Sequence, residues 1–292
     1  MRKMKVVCLA TLLTLLSFCC NPIGTQFGYE EQICPLSNHN IEIAEDLLEI
    51  VQEKLTEANK EGIYTTEVEI AVAQGHEFLQ KAKMFYQKGH SCITANNFAF
   101  KSINVFEKSI EVLESKSRAT KDEEYAVYKA FVDEGFYLIG SNYDEDEIQL
   151  FVIIDHTTGC EADDVLSEEL EWVGEEIPSA EQETLDNFQL KNAVPHSLED
   201  YFDFPAKVVL VDIEEIKEIF QEGSGWEGFY AKYPFSEGIM TLSRVGFNAE
   251  MNQALLYVTG EWSDSIGSGY YVLFEKKNGI WTIQDWVRSW IY

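Results

Sequence analysis

Positive charge is what this chain has least of. Only 22 Lys and Arg stand against 51 Asp and Glu in 292 residues, a formal net charge of −29 at pH 7. A field of that sign repels phosphate backbones and anionic surfaces, which excludes nucleic acid as a partner. No Cys-x-x-Cys pair occurs, so the usual structural zinc sites are excluded. The Gly-x-Ser-x-Gly elbow, the phosphate loop, His-Glu-x-x-His and the dinucleotide fingerprint are all missing, and nothing implies a cofactor or a bound metal. Beyond the first twenty residues there is no long apolar run of the roughly twenty residues that a spanning helix needs.

Those first residues are informative in themselves. Met1, Arg2, Lys3 and Lys5 make a basic start, residues 6–18 are apolar and uncharged, and Cys19 and Cys20 close the run. This is the layout of a secretory signal over residues 1–20, too short for a permanent anchor. It predicts an extracytoplasmic protein, either secreted or membrane-anchored. Ordinary cleavage after Cys19 would leave Cys20 first. Alternatively, Leu16-Ser17-Phe18-Cys19 resembles a bacterial lipoprotein signal, although Phe18 stands where that motif has a small residue. A lipid on Cys19 or Cys20 would tether the body to a membrane surface without spanning it.

Three cysteines remain in the body: Cys34, Cys92 and Cys160. In an oxidising compartment two of them should pair. Apolar residues recur at helical spacing over 40–62, 66–89 and 92–115, giving three helices joined by short connections and therefore antiparallel. Thr66 with Glu69 reads as a capping box for the second. Cys34 and Cys92 then sit at the same end of a three-helix bundle, and their pairing is the expected disulfide; Cys160 is left over. Residues 21–36 read as a linker, 37–118 as the bundle, and the polar stretch 116–122 as a boundary.

Residues 122–292 read as an α+β domain. Strand formers cluster at 148–155 and 206–211, with short helices at 125–132, 166–177, one capped by Ser179 with Gln182 and running through Leu190, one after Asp212, and one at 226–233. The last fifty residues read as a four-stranded antiparallel meander at 239–247, 253–261, 270–276 and 280–291, with a register slip near Asp285. Asn278-Gly279 is the strongest hairpin signal, since both residues tolerate positive φ. The fold class is thus α+β, with the helical bundle first.

Two resemblances attach to these elements. Ala82, Tyr86, Gly89, Ala95 and Ala99 look like one tetratricopeptide hairpin, but no second copy follows, so a solenoid is unsupported; small residues that let two helices approach are the plainer reading. The segments from Trp226 to Pro234, Leu242 to Asn248, Ala254 to Val258, Gly269 to Leu273 and Lys277 to Trp281 resemble a group of uncharacterised secreted or lipoprotein-like bacterial proteins. That resemblance covers roughly residues 125–292 and implies an exported module, without assigning any site residue.

Candidate chemistry is sparse. Asp155-His156 ends a buried strand, where a histidine base with a carboxylate beside it would serve a hydrolase. Neighbours on a strand point to opposite faces, so the two should not bond to each other. Asn142, Asp144 and Asp146 alternate like the start of a calcium loop but lack its later glycine and glutamate. Gly223-Ser224-Gly225 opens a short helix and reads as a linker. Residues 133–200 hold twenty Asp or Glu and one base, Lys191, a solvated face whose alternative use is weak divalent-cation binding. Arg244 lies among apolar strand residues, and a buried guanidinium demands a carboxylate. Glu261 or Asp264 is the expected partner, and a cleft holding Arg244, Trp226, Tyr230 and Glu261 is the candidate binding site. Trp281, Trp286, Trp290 and Tyr292 are expected to be mostly core. These features point to an exported, non-enzymatic binding or interaction protein for an unknown protein or small-molecule ligand. The alternatives are an extracytoplasmic hydrolase using Asp155 or His156, and cation binding by segment 133–200.

Overall fold

A computed structural model describes residues 27–88, 91–135, 149–157, 163–221 and 225–292. The predicted signal with Cys19 and Cys20, the calcium-like run at Asn142, Cys160, and Gly223 with Ser224 lie outside these residues. Helix and sheet are mixed, as an α+β class requires. The helices are α1 (Phe27–Lys60), α2 (Thr66–Gln87), α3 (Cys92–Asp133), α4 (Asp163–Glu176), α5 (Gln182–Asn192), α6 (Ile213–Gln221) and α7 (Gly225–Lys232). The strands are β1 (Leu150–Ile154), β2 (Lys207–Val211), β3 (Ser236–Leu242), β4 (Gly246–Phe247), β5 (Gln253–Ser263), β6 (Ile266–Lys277) and β7 (Ile280–Ile291).

Two boundaries differ from the sequence reading. Residues 27–36, expected as linker, belong to α1, which carries Pro35 inside it. The polar stretch 116–122, expected as a boundary, lies inside α3. Polarity by itself does not end a helix; glycine and proline are the usual interrupters, Pro35 in α1 being accommodated. Neither occurs between Cys92 and Glu134, so α3 runs on and absorbs the separate helix expected at 125–132. It stops at Gly135, whose φ of 66° is the left-handed turn that glycine takes without strain.

The chain divides into two compact units, residues 1–48 with 73–106 and residues 49–72 with 107–292. In the first, the disulfide Cys34–Cys92 joins α1 to α3 across 58 residues. Ser37 Oγ donates to the Cys92 carbonyl at 2.7 Å beside it. Ala82, Ala95 and Ala99 are wholly buried, and a Cβ on Gly75 would meet Phe106 at 2.5 Å. Small residues therefore let α2 and α3 close on each other.

In the second unit seven strands form one sheet of order β2-β1-β3-β5-β6-β7, with β4 paired to β5. β2 and β3 flank β1 in parallel, and the remaining pairs are antiparallel. The segment expected as one strand at 239–247 is two, β3 and β4, broken at residues 243–245. Asn278 and Gly279, at φ 53° and 82°, turn β6 into β7, and the register shifts between the partners of Asp285 and Ile283. Alternation then builds two cores. Phe151, Ile153, Met240, Leu256, Val272 and Phe274 face the end of α3, with Val127, Phe131 and Val132. On the other face α4 and α5 cover Leu255, Tyr271 and Leu273, while α6 and α7 cover Val152, Ile154 and Ile239. β7 is the last strand in the order, so its outer edge pairs with no strand among the described residues. Only Trp281 of its aromatics is buried, at 5% exposure; Trp286 and Tyr292 are exposed at 44% and 56%, contrary to the expectation that most are core.

Candidate functional site

The break between β3 and β4 creates the site. A continuous strand would hold Arg244 in the ladder. Here its amide donates instead to Asn192 Oδ1 at 2.8 Å, and its carbonyl accepts from Asn192 Nδ2 at 3.0 Å. Asn192 closes α5, which can lie directly on β4 because Gly246 has no side chain: a Cβ there would meet the Phe188 backbone at 2.6 Å. Asn187 Oδ1 adds a bond from the Phe247 amide at 3.0 Å.

Four charges converge behind this junction. Glu124 of α3, Lys191 of α5 and Arg244 are 5%, 2% and 7% exposed. Glu124 Oε1 accepts from the Val245 amide at 2.8 Å and from Arg244 Nε at 3.2 Å; Oε2 accepts from Arg244 Nη2 at 3.0 Å and Lys191 Nζ at 3.3 Å. Glu61, at the end of α1, pairs with Arg244 Nη1. Burial alone would raise the Glu124 carboxyl, but Lys191 and Arg244 hold it down at about 2. Burial, helped by Arg244, draws the Lys191 ammonium down to about 8 against the pull of Glu124. Tyr128, buried beside Glu124, is raised by burial first and by that carboxylate next, and donates to the Ser243 carbonyl at 2.8 Å.

In front of the cluster opens a cavity of about 620 Å³, lined by α1, α3, Arg244 and residues 196–199. This volume lies within the range of small-molecule sites. Its charged walls are mostly paired internally: Lys54 with Glu114, Lys121 with Glu199, and Arg244 with Glu61 and Glu124. Arg118 and Glu57 also line it, and neither has an ion pair among the described residues.

The residues expected to form one cleft do not meet. Arg244 lines the cavity, but Trp226, Tyr230 and Glu261 do not. Trp226, in α7, meets Phe220 and Phe229 edge to face, on the sheet face opposite the end of α3. Tyr230 donates to the Trp262 carbonyl at 2.9 Å. Glu261 pairs across β5 with Ile239 and Gly267, and the partners of Arg244 are Glu124 and Glu61 rather than Glu261 or Asp264. The reason is the strand break, which turns Arg244 toward α1, α3 and α5 instead of along the ladder.

Asp155 and His156 also depart from expectation. β1 ends at Ile154, and the bend at Asp155 releases both side chains from strand alternation. Asp155 Oδ1 lies 2.6 Å from His156 Nδ1, and His156 Nε2 lies 3.1 Å from Ser197 Oγ. An isolated antiparallel bridge sets His156 opposite Ser197, held by Thr157 N–His196 O and Leu198 N–Asp155 O bonds of 2.8 Å each. Ser197 lines the cavity as well.

Of the acidic segment, the described residues contain no group of three His, Cys, Asp or Glu placed to hold a metal ion. No helix among the described residues is long and apolar enough to cross a membrane. The chain matches no family model, no curated protein and no solved structure.

Proposed function

We propose that the protein is an exported binding protein whose ligand is a small zwitterion, an amino acid or short peptide. The observation that carries this is the 620 Å³ cavity whose walls pair most of their charges internally and, among the described residues, leave one cation, Arg118, and one carboxylate, Glu57, for a ligand to answer. A ligand bearing a carboxylate and an ammonium satisfies both, whereas a simple anion would leave Glu57 opposed. Buried behind them, the Glu124–Arg244–Lys191 cluster supports a rigid back wall, because its members are fixed from two helices, α3 and α5, and a strand end. The disulfide is compatible with an oxidising compartment. In this reading a signal at residues 1–20 exports the chain, with a lipid at Cys19 or Cys20 as the tether. An antiparallel three-helix bundle is spacer or partner surface, and a domain built on an antiparallel meander of β3, β5, β6 and β7 is the recognition body.

Calorimetric titration of the signal-free protein tests this with amino acids and dipeptides, beside the matching simple amines and carboxylates. The zwitterions are expected to bind, and the single-charge analogues to bind at least tenfold more weakly. Arg118→Ala and Glu57→Ala should each weaken binding by about tenfold, the effect of roughly 1.4 kcal/mol. Acetate binding as tightly as an amino acid, or variants that bind like the parent, would overturn the assignment.

A further inference from the structure

Asp155, His156 and the cavity-lining Ser197 form a line of two hydrogen bonds, 2.6 Å and 3.1 Å long. The chain order, Asp then His then Ser, occurs among known serine hydrolases, and a triad is in any case recognised by geometry and roles rather than by sequence position. With a neutral imidazole the polar atoms have one assignment. An ionised Asp155 only accepts, so His156 Nδ1 carries the proton and donates to it. His156 Nε2 is then the bare nitrogen, facing Ser197 Oγ as an acceptor. The bridge between His156 and Ser197 places both side chains on one face and fixes the distance from the backbone. The histidine side chain is 51% exposed, and Ser197 is exposed and lines the cavity. A substrate can therefore reach the hydroxyl from solvent, with room beside it for an acyl group against Tyr125, Tyr128 and Leu198.

We infer that Ser197 is an acyl-accepting nucleophile, with His156 as its general base and Asp155 as the positioning residue, acting on small carboxylic esters. Ser197 Oγ attacks the ester carbonyl carbon as its proton passes to His156 Nε2. The tetrahedral adduct collapses, the bond to the alcohol oxygen breaks, and His156 returns the proton to the leaving alkoxide. A water molecule repeats the two steps on the acyl-serine and releases the acid. No oxidant, reductant or metal enters the balance. This activity goes beyond ligand binding and does not depend on the ligand proposed above.

The test uses a small alkyl fluorophosphonate on the signal-free protein, read by intact mass and peptide mapping. Ser197 Oγ–P formation expels fluoride and moves the hydroxyl proton to His156. One adduct on Ser197 is expected, absent in Ser197→Ala and formed about 100-fold more slowly in His156→Gln. Asp155→Asn should slow labelling without lowering the melting temperature, and Asp155→Glu should restore part of the rate, a rescue that a merely structural role would not give. Hydrolysis of 4-nitrophenyl acetate should fall in the same order. No adduct, an adduct on another residue, or a labelling rate unchanged in His156→Gln would overturn the inference. Labelling with a flat amino-acid titration would leave this inference standing and remove only the binding assignment.

Discussion

Glu124→Ala is expected to destabilise the unit formed by residues 49–72 and 107–292 by about 3–5 kcal/mol, the cost of breaking a buried ion pair and leaving its partners charged. Glu124 accepts from two cations and from the Val245 amide. Its removal strands Lys191, whose side chain has 0% exposure, and leaves Arg244 only Glu61. All six tryptophans lie beyond residue 107, so urea unfolding followed by tryptophan fluorescence reports this unit alone. Glu124→Gln keeps the acceptor for Val245 and should lose less. Lys191→Met on the Glu124→Gln background should recover part of the loss, because the stranded charge is gone. That recovery would appear as a coupling of more than 1 kcal/mol in the double-mutant cycle. The pH dependence has a defined sign. The Glu124 carboxyl is depressed from 4.5 to about 2, so its contribution is complete above pH 4.5 and is lost as pH falls toward 2. A Glu124→Ala midpoint within 1 kcal/mol of the parent would refute the role given to the cluster.

The sequence showed the elements better than the site. Helices, most strands and the Asn278-Gly279 turn are written in local patterns, periods of 3.6 and 2 and residues that tolerate positive φ. The Cys34–Cys92 pairing followed from helix direction alone. What stayed hidden depends on long-range packing. Arg244 is visible as a charge among apolar residues, but its partners lie 120 and 183 residues away, on α3 and just past α1. Nothing local tells Glu124 from the acids around it; it falls between the polar stretch 116–122 and the short helix expected at 125–132. Lys191 did leave a trace, as the lone base in a run of twenty acids. A single cation kept in such a field is a mark of pairing. Ser197 left none. Its link to His156 comes from a bridge between two non-adjacent segments, and the bond from Asp155 to His156 needs a bend that strand periodicity does not announce.

Glu237→Gln is expected to remove a stability loss of roughly 3 kcal/mol that the parent suffers between mildly acidic and alkaline pH. Glu237, the second residue of β3, is 4% exposed. Its Oε1 accepts from Trp262 Nε1 at 2.8 Å, while Oε2 is buried and meets no hydrogen-bond partner among the described residues. Among the described residues no cation stands beside it to offset desolvation, in contrast to Glu124, and burial lifts its carboxyl from 4.5 to about 7 despite the Trp262 bond. A raised acid binds its proton more tightly folded than unfolded. Stability from this group is therefore complete below pH 4.5 and is lost as pH rises through about 7. The 2.5-unit difference corresponds to roughly 3 kcal/mol once both states are ionised. The chain's net charge of −29 also destabilises the fold as carboxylates ionise, so the test is the difference between parent and variant rather than either curve. Glutamine keeps an acceptor for Trp262 and cannot ionise. The two proteins should unfold at similar urea concentrations near pH 4.5 and diverge through pH 7, the variant being the more stable at pH 8.5. Parallel curves from pH 4.5 to 8.5 would mean that Glu237 is ionised throughout, and the buried, one-sided environment of its carboxyl would then be wrong.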